Sequence, residues 1–146
     1  MPNLARRTCC LAIGALALGT VNLGAFAQGV EPTIHRMVIQ MSDADPQKWN
    51  LALNNARNAL DELGINAVQL EIVAYGPGIG MLKADSPVAQ RVADALGFNV
   101  RIVACENTMR AQKLSKPDML PGIGYVTSGV VELVLRQQAG WAYIRP

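Results

Sequence analysis

The strongest constraint on this 146-residue chain is a rhythm. From Thr33 onward, short apolar runs alternate with longer amphipathic segments, and proline, glycine or a capping side chain marks most boundaries. Such alternation predicts βα units on a mainly parallel sheet of about five strands. The first run, Ile34 to Met41, ends at Ser42-Asp43-Ala44-Asp45-Pro46. There Asp45 can accept from the first free backbone amides, and Pro46 has the fixed φ of a first helical position. The helix predicted from Pro46 to about Leu63 carries Trp49, Leu53, Ala56, Leu60 and Leu63 on one stripe, and Gly64 stops it.

Val68 to Ala74 reads as the second strand, followed by Tyr75-Gly76-Pro77-Gly78-Ile79-Gly80, too glycine-rich for regular structure. Ser86 and Pro87 start a helix predicted to run to about Leu96, with Gly97 closing it. The third strand, Val100 to Ala104, delivers Cys105 at its carboxyl end, and Asn107-Thr108 is predicted to cap a short helix toward Lys113. After a loop with Lys116, Pro117 and Pro121 come a strand near Ile123 to Val126, a helix from about Gly129 to Gln138 capped by Ser128, and a last strand from Trp141 to Ile144. Pro-Gly-Ile-Gly occurs at 77–80 and 121–124 with unlike flanks, which points to shared turn chemistry.

Ahead of this pattern, Arg6 and Arg7, an uncharged and largely apolar stretch from Cys9 to Leu23, and Ala25-Phe26-Ala27 form the three parts of an export signal. Residues 1–27 are therefore expected to be removed, leaving residues 28–146 as a single periplasmic domain. The apolar stretch is glycine-broken and short of the ~20 residues of a membrane span, so no permanent anchor is expected. Cys9 and Cys10 follow Arg7-Thr8, which does not fit lipid attachment, and the Sec and Tat routes both stay open. Arg6 and Arg7 account for the whole formal charge of +2. A neutral mature domain lacks the basic footprint of nucleic-acid binding. Cys105 is then its single cysteine, which rules out an internal disulfide.

In open α/β sheets, ligands sit beyond the carboxyl ends of the strands. Four loops qualify: Ser42 to Asp45, Tyr75 to Ser86, Cys105 to Arg110, and Thr127 to Ser128. Cys105, before a helix, would feel free amides that favour the thiolate. Glu106 opposes this, and Arg110, four residues on, is placed to neutralise Glu106. The alternative is a small, inert, packed cysteine. His35 falls at the opposite end of the sheet, so no cysteine-histidine pair is expected. Gly76 to Gly80 reads either as a plain turn or as an anion-facing loop, and it lacks dinucleotide-binding spacing. Asp43 and Asp45 read as turn and cap residues. A Cys105–Met109 copper(I) site has too few ligands nearby to be favoured. Trp49 reads as core, while Trp141 and Tyr143 fit either a core or a subunit contact.

Four ordered stretches carry a resemblance: Trp49-Asn50-Leu51-Ala52-Leu53-Asn54-Asn55, Ala74-Tyr75-Gly76-Pro77-Gly78, Ala104-Cys105-Glu106-Asn107-Thr108-Met109, and Gly140-Trp141-Ala142-Tyr143-Ile144-Arg145-Pro146. Over residues 34–146 the chain resembles the DsrE/DsrF-like family. That resemblance implies a flavodoxin-like three-layer domain, commonly a homo-oligomer, and sulfur chemistry without a cofactor. In such relays a cysteine after a central strand carries a persulfide between proteins, and Cys105 matches it. Asn107 and Thr108 match the residues that follow and would donate to a bound sulfur anion, and the carry-over stops there; Gly76 and Gly78 are ligand-facing candidates on turn chemistry alone. The functional expectation is an exported sulfur carrier or sulfurtransferase, with a donor or acceptor protein and a small sulfur anion as partners. The alternative is a non-enzymatic oligomeric module that binds a small anionic or nucleotide-like ligand, with Cys105 only packed.

Overall fold

A computed structural model describes residues 33–146. The expected export signal, with Cys9 and Cys10, lies outside the described residues. Five strands, β1 (His35–Met41), β2 (Val68–Ala74), β3 (Arg101–Cys105), β4 (Gly124–Val126) and β5 (Ala142–Ile144), form one sheet in the order β4-β3-β2-β1-β5. Every pairing is parallel. The chain steps from β1 to β4 in one direction, then returns to place β5 on the other side of β1. Right-handed crossovers therefore put the first three helices on one face and the last on the other.

The first helix, α1 (Pro46–Leu63), starts and stops as its sequence predicts: Asp45 accepts from the Gln47 amide at 2.8 Å, and Gly64 ends it at φ 91. Its stripe is buried except for its last member, Leu63, which is exposed. Trp49 packs into the main core and donates its indole N–H to the Asp43 carbonyl at 2.7 Å. The glycine-rich stretch departs from expectation, because Gly76–Leu82 is a 3₁₀ helix. Its Ile79, Met81 and Leu82 are buried, so apolar anchoring holds a tight helix that glycine content alone argues against. The second Pro-Gly-Ile-Gly does not share that geometry; it turns at Gly122, φ 81, and enters β4.

The second helix, α2 (Ala89–Gly97), begins later than its proline predicts. Ser86-Pro87-Val88 forms a separate turn closed by the Ala89 amide on the Ser86 carbonyl at 3.1 Å. The helix runs to Gly97, within a residue of the expected end, and Asn99 follows at φ 62, a conformation asparagine tolerates better than most residues. The third helix, α3 (Glu106–Ala111), has Cys105 itself as its N-cap residue. Asn107 and Thr108 thus lie inside its first turn rather than capping it. Lys116–Asp118, expected as loop, makes one 3₁₀ turn in which Ser115 and Asp118 cap each other reciprocally. The fourth helix, α4 (Gly129–Gln138), has the expected bounds, but Ser128 makes no side-chain cap bond.

Two apolar layers flank the sheet. Ile39, Leu70, Ile72, Ile102 and Ala104 face α1, the 3₁₀ helix, α2 and α3 in the larger one. Val38, Val73 and Val103 face Leu133 of α4 in the smaller, with Tyr75, Val126 and Trp141 at its margin. This is the parallel α/β sheet the alternation predicts, in the three-layer arrangement the family resemblance implies.

Candidate functional site

Alternation along β3 fixes where the cysteine points. Ile102 and Ala104 belong to the α1 layer and Val103 to the α4 layer, so Cys105 shares its side of the sheet with α4. It is 4% exposed. Its thiol donates to the Thr127 carbonyl at 3.9 Å, and the Asn107 amide donates to the same oxygen at 3.1 Å. Burial alone would push this thiol's pKa up. The Thr108 hydroxyl and the backbone amides of Gly129, Thr108 and Asn107 outweigh that and leave it below the ordinary thiol value.

The Gly76 amide reaches this cluster indirectly, donating to Thr108 Oγ1 at 2.9 Å. Because Oγ1 accepts that bond, its own hydrogen is free for the sulfur. Gln112 Nε2 donates to the Gly76 carbonyl at 3.3 Å and ties α3 to the same turn. Gly76 sits at φ 54, in the left-handed region that favours glycine. Gly78 lies elsewhere: its amide donates to the Tyr75 carbonyl at 3.1 Å, and an added Cβ would stand 2.3 Å from the Met41 carbonyl oxygen. Both glycine amides are therefore engaged within the fold, with Gly76 shaping the cysteine's surroundings and Gly78 packing against the end of β1.

Sequence reasoning missed Gly129. A Cβ there would lie 2.9 Å from Tyr75 Cβ, so glycine lets α4 begin against the tyrosine, and its backbone is among the groups that lower the thiol's pKa. The signal present in the sequence was Thr127-Ser128-Gly129 at a strand's carboxyl end beside the Cys105 loop. Tyr75 thus walls the site from β2. Burial raises its phenol pKa, Tyr143 adds to this, and Arg145 and a hydrogen bond with Ser42 oppose it.

Other expected residues fall apart from the cluster. Arg110 donates to Asn107 Oδ1 rather than pairing with Glu106. Met109 packs into the α1 layer, away from the sulfur's side of the sheet. His35 opens β1 at the opposite end from Cys105. Asp43 pairs with Lys48 at 3.0 Å, and Tyr143 donates its hydroxyl to Gln40 Oε1. A groove of about 710 Å³ between α1 and α2, lined by Leu53, Leu60, Arg91 and Phe98 among others, contains none of the Cys105 cluster.

Solved structures share this architecture. A protein of unknown function, MTH1491 from Methanobacterium thermoautotrophicum, is 39% identical, covers 77% of this chain and 99% of its own, and has a TM-score of 0.73. A conserved protein of unknown function, BT1422 from Bacteroides thetaiotaomicron, is 13% identical over 76% of this chain and 94% of its own, with a TM-score of 0.61. The ychN protein of E. coli is 19% identical over 77% and 100%, with a TM-score of 0.58. The last two show the fold alone. No curated protein matches the chain. The family comparison matches residues 35–146, nearly all that the structure describes, and the chain belongs to the DsrE/DsrF-like family.

Proposed function

We propose that this protein is an exported sulfur carrier that holds a persulfide on Cys105. Family membership supports a sulfur-relay-related role. The observation that carries the reading is the place of Cys105, at the carboxyl end of β3 and the N-cap of α3, where the Thr108 hydroxyl and the backbone of Gly129, Thr108 and Asn107 lower the thiol's pKa despite burial. Donors fixed before reaction stabilise an anion without reorganising.

The chemistry is thiolate exchange. The Cys105 thiolate attacks the sulfane sulfur of polysulfide, thiosulfate or a protein persulfide. A sulfur–sulfur bond forms at Cys105 as the donor's breaks, and the shortened polysulfide, sulfite or thiolate leaves with the electron pair. No external oxidant or reductant is required. Asn107 and Thr108, in the first turn of α3, hold the new terminal sulfur. Periplasmic residence, a proposal that rests on residues 1–27, would match the single cysteine of residues 28–146 to an oxidised sulfur pool.

A packed Cys105 within a ligand-binding module is the second reading, favoured by the residue's 4% exposure. Native-state alkylation separates the two. A carrier thiol reacts in the folded protein at a rate that exceeds global unfolding, and cyanide releases sulfane sulfur from it after polysulfide treatment. A packed thiol reacts only as fast as the protein unfolds and releases none.

A further inference from the structure

The groove between α1 and α2 holds a charge that the fold leaves unmatched. Arg91, in the first turn of α2, donates through its two terminal nitrogens to Asn50 Oδ1 and, at 2.6 Å, to Asn54 Oδ1 of α1. Both acceptors are neutral amides. They fix the plane of the guanidinium without balancing its charge, and its other three donors make no hydrogen bond among the described residues. Arg101 and Arg136 differ: each places a guanidinium nitrogen 2.7 Å from Oε2 of Glu71, which is fully buried on β2, and each also pairs with Glu132.

Below Arg91 the groove is lined by apolar side chains. Its volume of about 710 Å³ falls within the roughly 300–1,000 Å³ of small-molecule sites. Leu53, Ala56 and Leu60 follow one another along α1 at i, i+3 and i+7, a floor roughly 10 Å long. Phe98 stands at its far end, where a smaller recess of about 280 Å³ continues along Leu60 and Ile65. Ile65 and Phe98 are 43% and 39% exposed. Asn50 and Asn54 hold Arg91 at the opposite end of the floor. The groove's other guanidinium, Arg57, is already engaged, paired with Asp61 at 2.8 Å and covering the Phe98 ring at 4.7 Å.

We infer that this groove binds a small amphipathic carboxylate, with its head group on Arg91 and its apolar body along Leu53, Ala56 and Leu60 toward Phe98. Charge complementarity selects this occupant. A planar carboxylate matches the guanidinium fork, and a fork oriented beforehand by Asn50 and Asn54 loses little freedom on binding. Asp94, on the groove's rim one turn after Arg91 and held by Gln90 Nε2 at 2.9 Å, sets the limit on charge. It repels a second negative charge, so the site suits a monoanion and not a doubly charged phosphate. None of the Cys105 cluster lines the groove, so this site is independent of persulfide chemistry.

The test is isothermal titration calorimetry of the folded protein with octanoate, below its micellar concentration, against octanol, which keeps the apolar body and lacks the charge. Wild type is expected to bind octanoate saturably at one site per chain, and octanol at least about 10-fold more weakly, the share of a charge-assisted hydrogen bond. Arg91→Met, which keeps an aliphatic stem, should show a similar loss. Asn54→Asp is the milder variant: at an exposed position it sets a carboxylate against Arg91, neutralising it in place, and should weaken octanoate binding by the same factor. Far-UV circular dichroism checks both folds, and Asn54→Asp decides if Arg91→Met does not fold. Absence of saturable binding by wild type at millimolar octanoate would overturn the inference, as would equal affinity for octanoate and octanol, or undiminished binding by either folded variant. Octanoate is also expected to leave the rate of Cys105 alkylation unchanged; a rate that falls as octanoate binds would put it at the thiol and overturn the inference equally.

Discussion

The Gly76 amide donates to Thr108 Oγ1 at 2.9 Å, joining residues 32 apart in sequence. This bond places the hydroxyl that faces Cys105 and couples the turn after β2 to the first turn of α3. Hydrogen bonds to a charged group contribute about 1.5–3 kcal/mol, and one pKa unit corresponds to about 1.4 kcal/mol. Thr108→Val is therefore expected to raise the pH midpoint of Cys105 alkylation by about one unit, while Thr108→Ser leaves it near the wild-type value. The sign follows from the lowered native pKa: thiolate persists to lower pH in the folded protein, so wild type should also show a lower midpoint folded than unfolded. Alkylation rates across pH 6–10 with and without urea check both expectations; equal midpoints for the folded and unfolded protein would contradict them.

Glu71 is a separate liability. Removing its carboxylate leaves Arg136 and Arg101 sharing only the Glu132 carboxylate, beside the low-dielectric side of the sheet. Breaking a buried pair costs about 3–5 kcal/mol. Glu71→Ala should fall at the low end, about 3 kcal/mol, because the Arg101 side chain stays 47% exposed and can be hydrated. Glu71→Gln should cost less, since an amide still accepts from the guanidiniums. Urea denaturation measures both, and a neutral Glu71→Ala would contradict the described cluster.

Two glycines should respond differently to alanine. At Gly78 the new Cβ would lie 2.3 Å from the Met41 carbonyl oxygen, which is backbone and cannot yield without moving β1. A loss of about 3 kcal/mol is expected from such overpacking. At Gly140 no heavy atom lies within 4 Å, and only the left-handed φ of 80 is strained. Gly140→Ala should cost about 1 kcal/mol. Thermal or urea unfolding of the two variants compares them directly, and equal losses would contradict the close approach at Gly78.

Much of this fold is written in local signals. Pro46, Asp45 and Gly64 bound α1 because caps and φ restrictions act within a few residues, and the strand apolar runs mark a sheet buried on both sides. Where the outcome depended on distant partners, local chemistry misled. Gly76–Leu82 is helical because its apolar residues are anchored in the core, and Ser86-Pro87 does not start α2 because those residues close their own turn. At the site, Cys105 was legible as a nucleophile at a strand end. Its partners were not, because Gly129 comes from the far side of β4 and acts through backbone and lack of a side chain. The ion cluster was equally hidden, since nothing local joins Glu132 and Arg136 of α4 to Arg101 and Glu71 on the sheet.

Sulfur carriage by this protein rests on one atom, the Cys105 sulfur. Intact mass spectrometry of wild type and Cys105→Ser, after brief native exposure to polysulfide, tests it most directly. Wild type should gain the mass of one or more sulfur atoms, reductant should remove them, and Cys105→Ser should gain none while remaining folded. A wild type that gains nothing in the native state although the unfolded chain does, or a Cys105→Ser variant that loads undiminished, would contradict it.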